Sequence, residues 1–574
     1  MPDTNRAAAR LFERIADALE LKGETGFRVL AYRKAARVLD ETTADVRDLD
    51  REGQLGDLPG IGEALRKKIA EFLATGKMAK HDEAVADLPA GLFELLEVPG
   101  LGPRTVRQVW QELGVTDAKG LKRAIDDGSF AHLPGQGKKK ATRIAQGLRT
   151  GETTTRRMYL PEAFELAGSV VDWLNQLPGV RHCRFAGSLR RGQETIGDID
   201  VLLTGPKPEA AIERFKSHPR LERLLAAGET RASGLFHAQY LRQVDLRVLE
   251  ESAYGAALQY FTGSKEHNVA LRALAQQQGL KLSEYGLFKG ERRVAGRTEA
   301  GIYRRLGLAF IEPELRTDRG ELAAAAEGRL PKLLTLEDIR ADLHVHTTRS
   351  DGVATLQEMA ASARKRGYTH LAVADHSRSA HYAGGLSEDD LLRHCDEVDR
   401  FNRHSRGFKV LRANEVDIRI DGTLDYPDST LERLDFVVAS VHQGFKKDVT
   451  RRICAALEHP LVHCVAHPTG RLIDQREGYD VDVEAVIECA ARLGKALEIN
   501  SFYGRLDLSD IWARRAAEAG ALLSINTDAH SVEEMDWMRY GVLTARRAWL
   551  EPRNVINCLS LAELKTWLKK KRVG

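Results

Sequence analysis

The chain has few cysteines for its 574 residues: Cys183, Cys395, Cys454, Cys464, Cys489 and Cys558. None form a C-x-x-C pair, which argues against a ribbon-type structural zinc site. Thiols so spaced fit a reducing compartment, and a cytoplasmic location is expected. No uncharged apolar run approaches the roughly 18 residues of a membrane span, so no membrane partner is expected. The opening residues, MPDTNRAAARLFERI, are charged every few positions and hold no apolar signal-peptide core. Net charge is nearly absent as well: 86 basic against 83 acidic residues leave +3, too small a surplus to indicate a partner. With 43% hydrophobic and 29% charged residues, a disordered chain, a collagen-like fibre and a disulfide-stapled miniprotein are excluded. The length predicts three to five domains.

What is present is unevenly distributed. Twelve of the 18 histidines lie after residue 330, which points to metal or acid/base chemistry there. The first 330 residues contain a repeat: LPGIG at 58–62, VPGLG at 98–102 and LPGQG at 133–137, each followed by a basic, helical-looking stretch. A G-x-G turn between helices lets backbone N–H groups approach a phosphate, and the following Lys and Arg attract the nucleic-acid backbone without regard to sequence. One such turn is an ordinary helix–helix connection, whereas three with basic followers resemble helix-hairpin-helix DNA-binding modules. Gly60, Gly62, Gly100, Gly102, Gly135 and Gly137 are placed at the turns.

After about residue 150 the texture changes to short β-like runs between helices. Residues 186–203, AGSLRRGQETIGDIDVLL, set Asp198 and Asp200 two apart at the start of an apolar strand, where i and i+2 share a side. Adjacent carboxylates repel unless a divalent cation neutralises them. QVDLRVL supplies Asp245 as a third ligand, and Gly187-Ser188 with Arg190-Arg191 offers phosphate donors. This set suits in-line nucleotidyl transfer by two metals.

From residue 336 strand-like runs alternate with long helical patterns, the rhythm of an α/β barrel, and most of the strands end in His or Asp. His344, His346, Asp351, His376, Glu415, His442, His467, Asp528 and His530 fall at these ends. Imidazoles and carboxylates in such number suit Zn²⁺ or Mn²⁺ and the hydrolysis of a phosphate ester. Asn500 and Arg505 are candidates for supporting or substrate-contacting roles.

GSLRRGQETIGDIDVLL, VDLRVL and YFTGSKEHN (260–268) together resemble a family X DNA polymerase of the nucleotidyltransferase superfamily, over about residues 1–320. The histidine pattern resembles a PHP (polymerase and histidinol phosphatase) domain. The resemblance implies a multidomain chain: a lyase-like helical domain at 1–85 with the first hairpin, a helical domain at 86–154 with two more, an α/β nucleotidyltransferase palm at 155–255, a nucleotide-selecting extension at 256–320, a linker at 321–335 and a distorted (β/α)₇ PHP barrel at 336–574. It implies Mg²⁺ or Mn²⁺ on the catalytic Asp198, Asp200 and Asp245, and triphosphate contacts from Ser188, Arg191 and Gly197. Tyr260, Phe261 and Gly263 would line the sugar, with Asn268 and Arg272 near the nascent pair or template. Lys68 stands where the family carries a lyase lysine, although Arg28 and Ala64 replace two of that pattern's supporting lysines. The barrel would hold three Mn²⁺ or Zn²⁺ ions.

The function so implied is filling of short gaps in repair, on gapped or nicked duplex DNA with deoxynucleoside triphosphates, together with a metal-dependent 3′→5′ exonuclease or 3′-phosphoesterase. The alternatives are a nucleotidyltransferase and phosphatase for RNA or a small molecule, which would not need three hairpins, and a non-catalytic DNA end-binder, for which filled metal positions would be superfluous.

Overall fold

The computed structural model describes the chain except residues 1–2, 25, 43, 59, 97, 99–100, 138–140, 142–143, 145–156 and 573–574. Gly100, at the second predicted turn, lies outside the described residues. The chain forms two compact units, one of Met1–Arg157, Pro219–Ala227 and Ala232–Val244, the other of the remainder. The stretch expected as the palm, 155–255, contributes to both. Its strands Leu221–Ala227 and Arg231–His237 pair antiparallel and fall almost wholly in the first unit. Leu221–Ala227 has no buried residue, so it adds little to an apolar core.

In the first unit the helices Asp3–Lys22 and Phe27–Glu41 bury Phe12, Ile15, Leu19, Ala35 and Leu39, the stripe that helical periodicity requires. The glycine turns connect short helices. Gln54–Asp57 leads into the first and Glu63–Thr75 leaves it; Gly91–Leu96 and Pro103–Leu113 flank the second; Ser129–His132 leads into the third. Gly60 and Gly135 adopt φ of 91° and 75°, a left-handed conformation that explains glycine at those positions.

In the second unit, His182–Phe185 and Ile199–Thr204 pair antiparallel, with the one-turn helix Gly187–Arg190 between them. The strand Leu241–Leu249 belongs to this unit from Asp245 on and alternates half-buried and buried positions, so Asp245 points away from the core that Leu246 and Val248 enter. The helices Tyr254–Thr262, Lys265–Gln277 and Glu299–Arg305 follow. Buried Glu299 binds Arg190 through two hydrogen bonds, 2.8 and 2.6 Å, and Arg316 through one of 2.6 Å. The expected linker begins as the helix Glu321–Ala326, and Glu321 is buried against His267 Nδ1 at 2.7 Å. The first part of that linker therefore packs with the 256–320 region.

Seven parallel strands then follow in spatial order of sequence: β1 Ala341–Val345, β2 His370–Val373, β3 Lys409–Asp417, β4 Phe436–Ser440, β5 Cys464–Val465, β6 Ala496–Asn500 and β7 Leu522–Asn526. A bridge between Val345 and Ala529, just beyond β7, nearly closes the ring. The interior mixes small side chains (Ala341, Ala372, Ala413, Cys464, Ala496) with larger ones (Leu343, Leu411, Phe436), and Leu564 and Leu568 of the C-terminal helix Leu561–Arg572 join them. The helices pack on the outer faces of the strands through a separate, larger apolar layer. Within this unit Arg471 binds Glu194 at 2.6 Å, the Tyr159 hydroxyl donates to the Ile473 carbonyl at 2.9 Å, and Arg546 binds Glu314 at 2.7 Å, fixing the barrel to the preceding α/β region. Among the described residues no helix is long and apolar enough to cross a membrane.

Candidate metal centres and nucleic-acid contacts

The barrel gathers the predicted histidines and carboxylates at the C-terminal ends of its strands. Glu415, at the end of β3, is the hub. Its carboxylate lies 2.9 Å from His376 Nδ1, 3.6 Å from His344 Nε2, 3.3 Å from His442 Nε2 and 3.0 Å from His467 Nε2. Asp351 sits 3.5 Å from His376 and 3.3 Å from His530. Asp528 sits 3.0 Å from His346. Ligand atoms of His346, Asp351, His376 and His530 all come within 4.8 Å of one another, as do those of His344, His346 and Asp528, and of His376, Glu415 and His442. Among the described residues, every such group of three or more lies in the barrel.

The imidazoles are oriented from behind. His344 Nδ1 faces Glu498 at 2.8 Å, His442 Nδ1 faces Asp417 at 3.2 Å, and His530 Nδ1 faces the carbonyl of Asp528 at 2.8 Å. A proton on each Nδ1 leaves the Nε2 lone pair aimed into the cluster, as metal ligation requires. His344 Nε2 and His346 Nε2 meet at 3.2 Å, an approach that suits two lone pairs sharing an electrophile. Glu498 also accepts from His467 N and Asn500, and Asn500 donates to Asp528 at 3.0 Å. Asp375 accepts from Thr347 and Ser350 and so fixes the loop that carries Asp351.

Electrostatics carry the same message. Burial opposes a charge on His376, but Glu415 and Asp351 outweigh it and push its pKa up to about 10. Burial opposes charge on His442 too, and Glu415 with Asp417 takes it up to about 9. His346, buried and beside His376, falls to about 4. The donor set of imidazoles and carboxylates fits Mn²⁺ or Zn²⁺. Glu498 and Asp417 were not singled out from sequence. Each lies two residues from a predicted site position on the same strand, so the i, i+2 rule that found His344 and His346 would have found them.

The second centre is in the α/β region. Burial first, then repulsion from Asp198 and Asp245, raises the Asp200 pKa to about 7. Three carboxylates that repel one another, with no histidine among them, fit a hard cation such as Mg²⁺ or Mn²⁺. Gly187 has φ of 66°, and a Cβ there would lie 2.8 Å from Asp200 Oδ2, so glycine lets the phosphate-loop backbone approach the carboxylates.

The two arginines of this loop divide in role. Arg190 is taken by Glu299 and by Thr262 Oγ1 at 2.6 Å, so it braces the fold. Arg191 donates to the Thr262 carbonyl. Ser188 and Gly197 are not buried. Tyr260 and Phe261 stand edge to face at 5.1 Å, with Arg247 over Phe261 at 4.3 Å, and Gly263 lies beside Arg191. Asn268, expected near the nascent pair, is buried. Its amide donates to the Tyr260 carbonyl and accepts from Gln259, both at 2.7 Å, so it shapes the wall of that region. Arg272 donates back to the Asn268 carbonyl at 3.2 Å.

In the first unit a Cβ at Gly62, Gly102, Gly135 or Gly137 would meet nothing within 4 Å, so the backbone at these turns is open to approach; at Gly60 it would meet the end of Lys34. A cavity of about 760 Å³ lies beside the first turn, lined by Arg28, Tyr32, Gly60, Gly62 and Lys68. Lys68 Nζ donates to the Ala64 carbonyl at 2.9 Å.

Comparisons with known proteins agree with these observations. Residues 3–78 match a helix-hairpin-helix domain, 92–150 a SAM-like helix-hairpin-helix tandem, 257–317 the DNA polymerase beta thumb and 342–502 the PHP domain. The chain is 36% identical over 567 residues to the DNA polymerase/3′-5′ exonuclease PolX of Bacillus subtilis, covering 98% of both chains. It is 29% identical to DNA polymerase lambda of Rattus norvegicus over 336 residues, 53% of this chain and 55% of that one. A probable phosphatase of Caldicellulosiruptor saccharolyticus is 30% identical over 210 residues, 33% of this chain and 80% of that one. A helix-hairpin-helix front, a carboxylate-bearing α/β region with its thumb and a histidine-lined barrel thus run in one chain, which belongs to the family X DNA polymerases that carry a PHP domain.

Proposed function

We propose that the chain fills short gaps in damaged duplex DNA and trims 3′ ends with a separate site. Asp198, Asp200 and Asp245 would hold Mg²⁺ or Mn²⁺, which when bound neutralises charge in an in-line nucleotidyl transfer. Ser188, Arg191 and the backbone at Gly187 and Gly197 hold the triphosphate. Asp245 accepts the proton of the primer 3′-hydroxyl. Tyr260, Phe261 and Gly263 line the sugar, and Arg272 faces the nascent pair. Gly60, Gly62, Gly100, Gly102, Gly135 and Gly137 bring backbone N–H groups to DNA phosphates. Lys68, with Arg28 in the cavity beside the first turn, contacts a 5′-phosphate and is the candidate lyase nucleophile.

The second site is a 3′→5′ exonuclease or 3′-phosphoesterase. His344, His346, Asp351, His376, Glu415, His442, His467, Asp528 and His530 would hold three Mn²⁺ or Zn²⁺ ions, which when bound supply the Lewis-acid chemistry of phosphate-ester hydrolysis. The observation that carries the reading is the presence in one chain of a histidine and carboxylate cluster whose ligand atoms converge in the barrel and, apart from it, of Asp198, Asp200 and Asp245, whose mutual repulsion raises the Asp200 pKa. The test offers a one-nucleotide-gapped duplex and an RNA 3′ end, with and without Mn²⁺. Preferential metal-dependent extension of the gap, with metal-dependent 3′ shortening when nucleotides are withheld, supports the reading. Equal use of the RNA end, or no turnover with any divalent metal, contradicts it.

A further inference from the structure

Exposed apolar side chains are unevenly placed over the described surface. The two most exposed of the large ones are Val353, 76% accessible, and Tyr382, 73% accessible, and Ile420 is also exposed. All three border the barrel's metal cluster. Val353 follows Asp351 by two residues and donates its N–H to the His530 carbonyl at 2.8 Å. Ile420 follows Asp417, the partner of His442, by three. Tyr382 stands over the histidines themselves, its ring centroid 6.3 Å from that of His376 and 6.3 Å from that of His442, the latter at 89°.

The loop that presents Tyr382 is tightly held. It leaves His376 and returns at Leu386, whose N–H donates to the His376 carbonyl at 2.9 Å. The Tyr426 hydroxyl anchors the Leu386 carbonyl at 2.6 Å. A Cβ at Gly385 would lie 1.9 Å from the Ser377 carbonyl, so the chain closes there only with glycine. A Cβ at Gly384 would touch the Ser350 carbonyl at 3.6 Å, which sets this loop against the one bearing Asp351 and Val353. An aromatic face fixed at the edge of a cation cluster, with its outer side open to solvent, matches the shape of a nucleotide end: phosphate on the ions, base on the ring.

We propose that Tyr382 is the platform on which the 3′-terminal base stacks, with Val353 beside it, while the adjoining phosphodiester lies on the cluster. The inference rests on the exonuclease reading above and adds how that site holds its strand. Stacking is sequence-tolerant because every base has a π-face, so trimming depends on the presence of a base and little on its identity.

The test uses the full chain, Mn²⁺, no nucleotides, and two single-stranded oligonucleotides that differ only at the 3′ terminus: one ends in deoxyadenosine, the other in a tetrahydrofuran abasic nucleotide. The unaltered chain should release the deoxyadenosine nucleotide with about 5- to 150-fold higher kcat/KM, the span of one base–aromatic stack. Tyr382→Ala should remove that advantage and leave abasic release unchanged. Tyr382→Phe should keep it, because the ring and not the hydroxyl carries the contact. Equal losses on both oligonucleotides in Tyr382→Ala, no change on either, or a phenylalanine variant that behaves like the alanine one would overturn the inference. If the unaltered chain removes neither terminus, the exonuclease reading itself falls, and the stacking platform with it.

Discussion

The barrel and the α/β region hold negative charge next to phosphate chemistry in different ways. In the barrel, Glu415 is ringed by four imidazoles, and the surrounding carboxylates push up the pKa of three of them, His344, His376 and His442. That charge is balanced from within, and Glu498, Asp417 and Asn500 lock the ligands before any ion arrives. In the α/β region Asp200 meets only Asp198, Asp245 and its own burial, with Arg247 and Arg191 as partial relief. The barrel's ligands are held by hydrogen bonds from neighbouring side chains, whereas Asp200 is opposed by burial and like charge. A histidine-rich set retains softer ions, and a carboxylate set exchanges hard ones that travel with a triphosphate.

The comparison can be sharpened at three positions. Glu498→Gln keeps the shape but loosens His344 and the backbone at His467. It should lower 3′ trimming and the barrel's metal affinity by about 10- to 100-fold while gap filling is unchanged, as metal titrations of both activities would read. Asp200→Asn should do the opposite kind of thing: abolish extension and stabilise the metal-free fold. The folded pKa of Asp200, about 7, lies above its ordinary value of 3.8, so the favourable protonated state is lost as pH rises between those values. At pH 8 with chelator the asparagine variant should therefore unfold later by roughly 1–3 kcal/mol, discounted for partial exposure, and the gain should vanish at pH 4. Thermal melts at the two pH values check this. Gly187→Ala places a methyl against Asp200 at a left-handed φ, a cost of about 1 kcal/mol. It should slow extension by about five- to tenfold at limiting Mg²⁺ and leave trimming alone, which steady-state rates on a gapped duplex would show.

Much of this architecture was legible in the residue pattern because its chemistry repeats at short intervals. The D-x-D at 198–200 and H-x-H at 344–346 follow from strand alternation, and strand-end placement brought seven further residues together that lie up to 179 positions apart, Asp351 to His530. Gly60 and Gly135 were legible because left-handed φ restricts the residue type. What escaped depends on contacts distant in sequence. Arg190 and Arg191 are neighbours of equal charge, and only the fold shows that Glu299, 109 positions on, claims the first. Asn268 matches a nucleotide-contact motif, yet its amide is used by Gln259 and Tyr260. Tyr382 carries no local signal, because an exposed tyrosine gains meaning only from the histidines beneath it.

The central claim is that one chain runs two independent metal-dependent reactions on DNA ends, and it is tested most directly by reciprocal inactivation on a single substrate. A one-nucleotide-gapped duplex labelled at the primer 5′ end, incubated with Mn²⁺ with or without nucleotides, reports lengthening and shortening in the same lane. The double variant Asp198→Ala with Asp200→Ala should lose lengthening and keep shortening. The double variant His344→Ala with His346→Ala should keep lengthening and lose shortening. If either pair abolishes both reactions in a chain whose circular dichroism is unchanged, the two centres are not separate and the account is wrong.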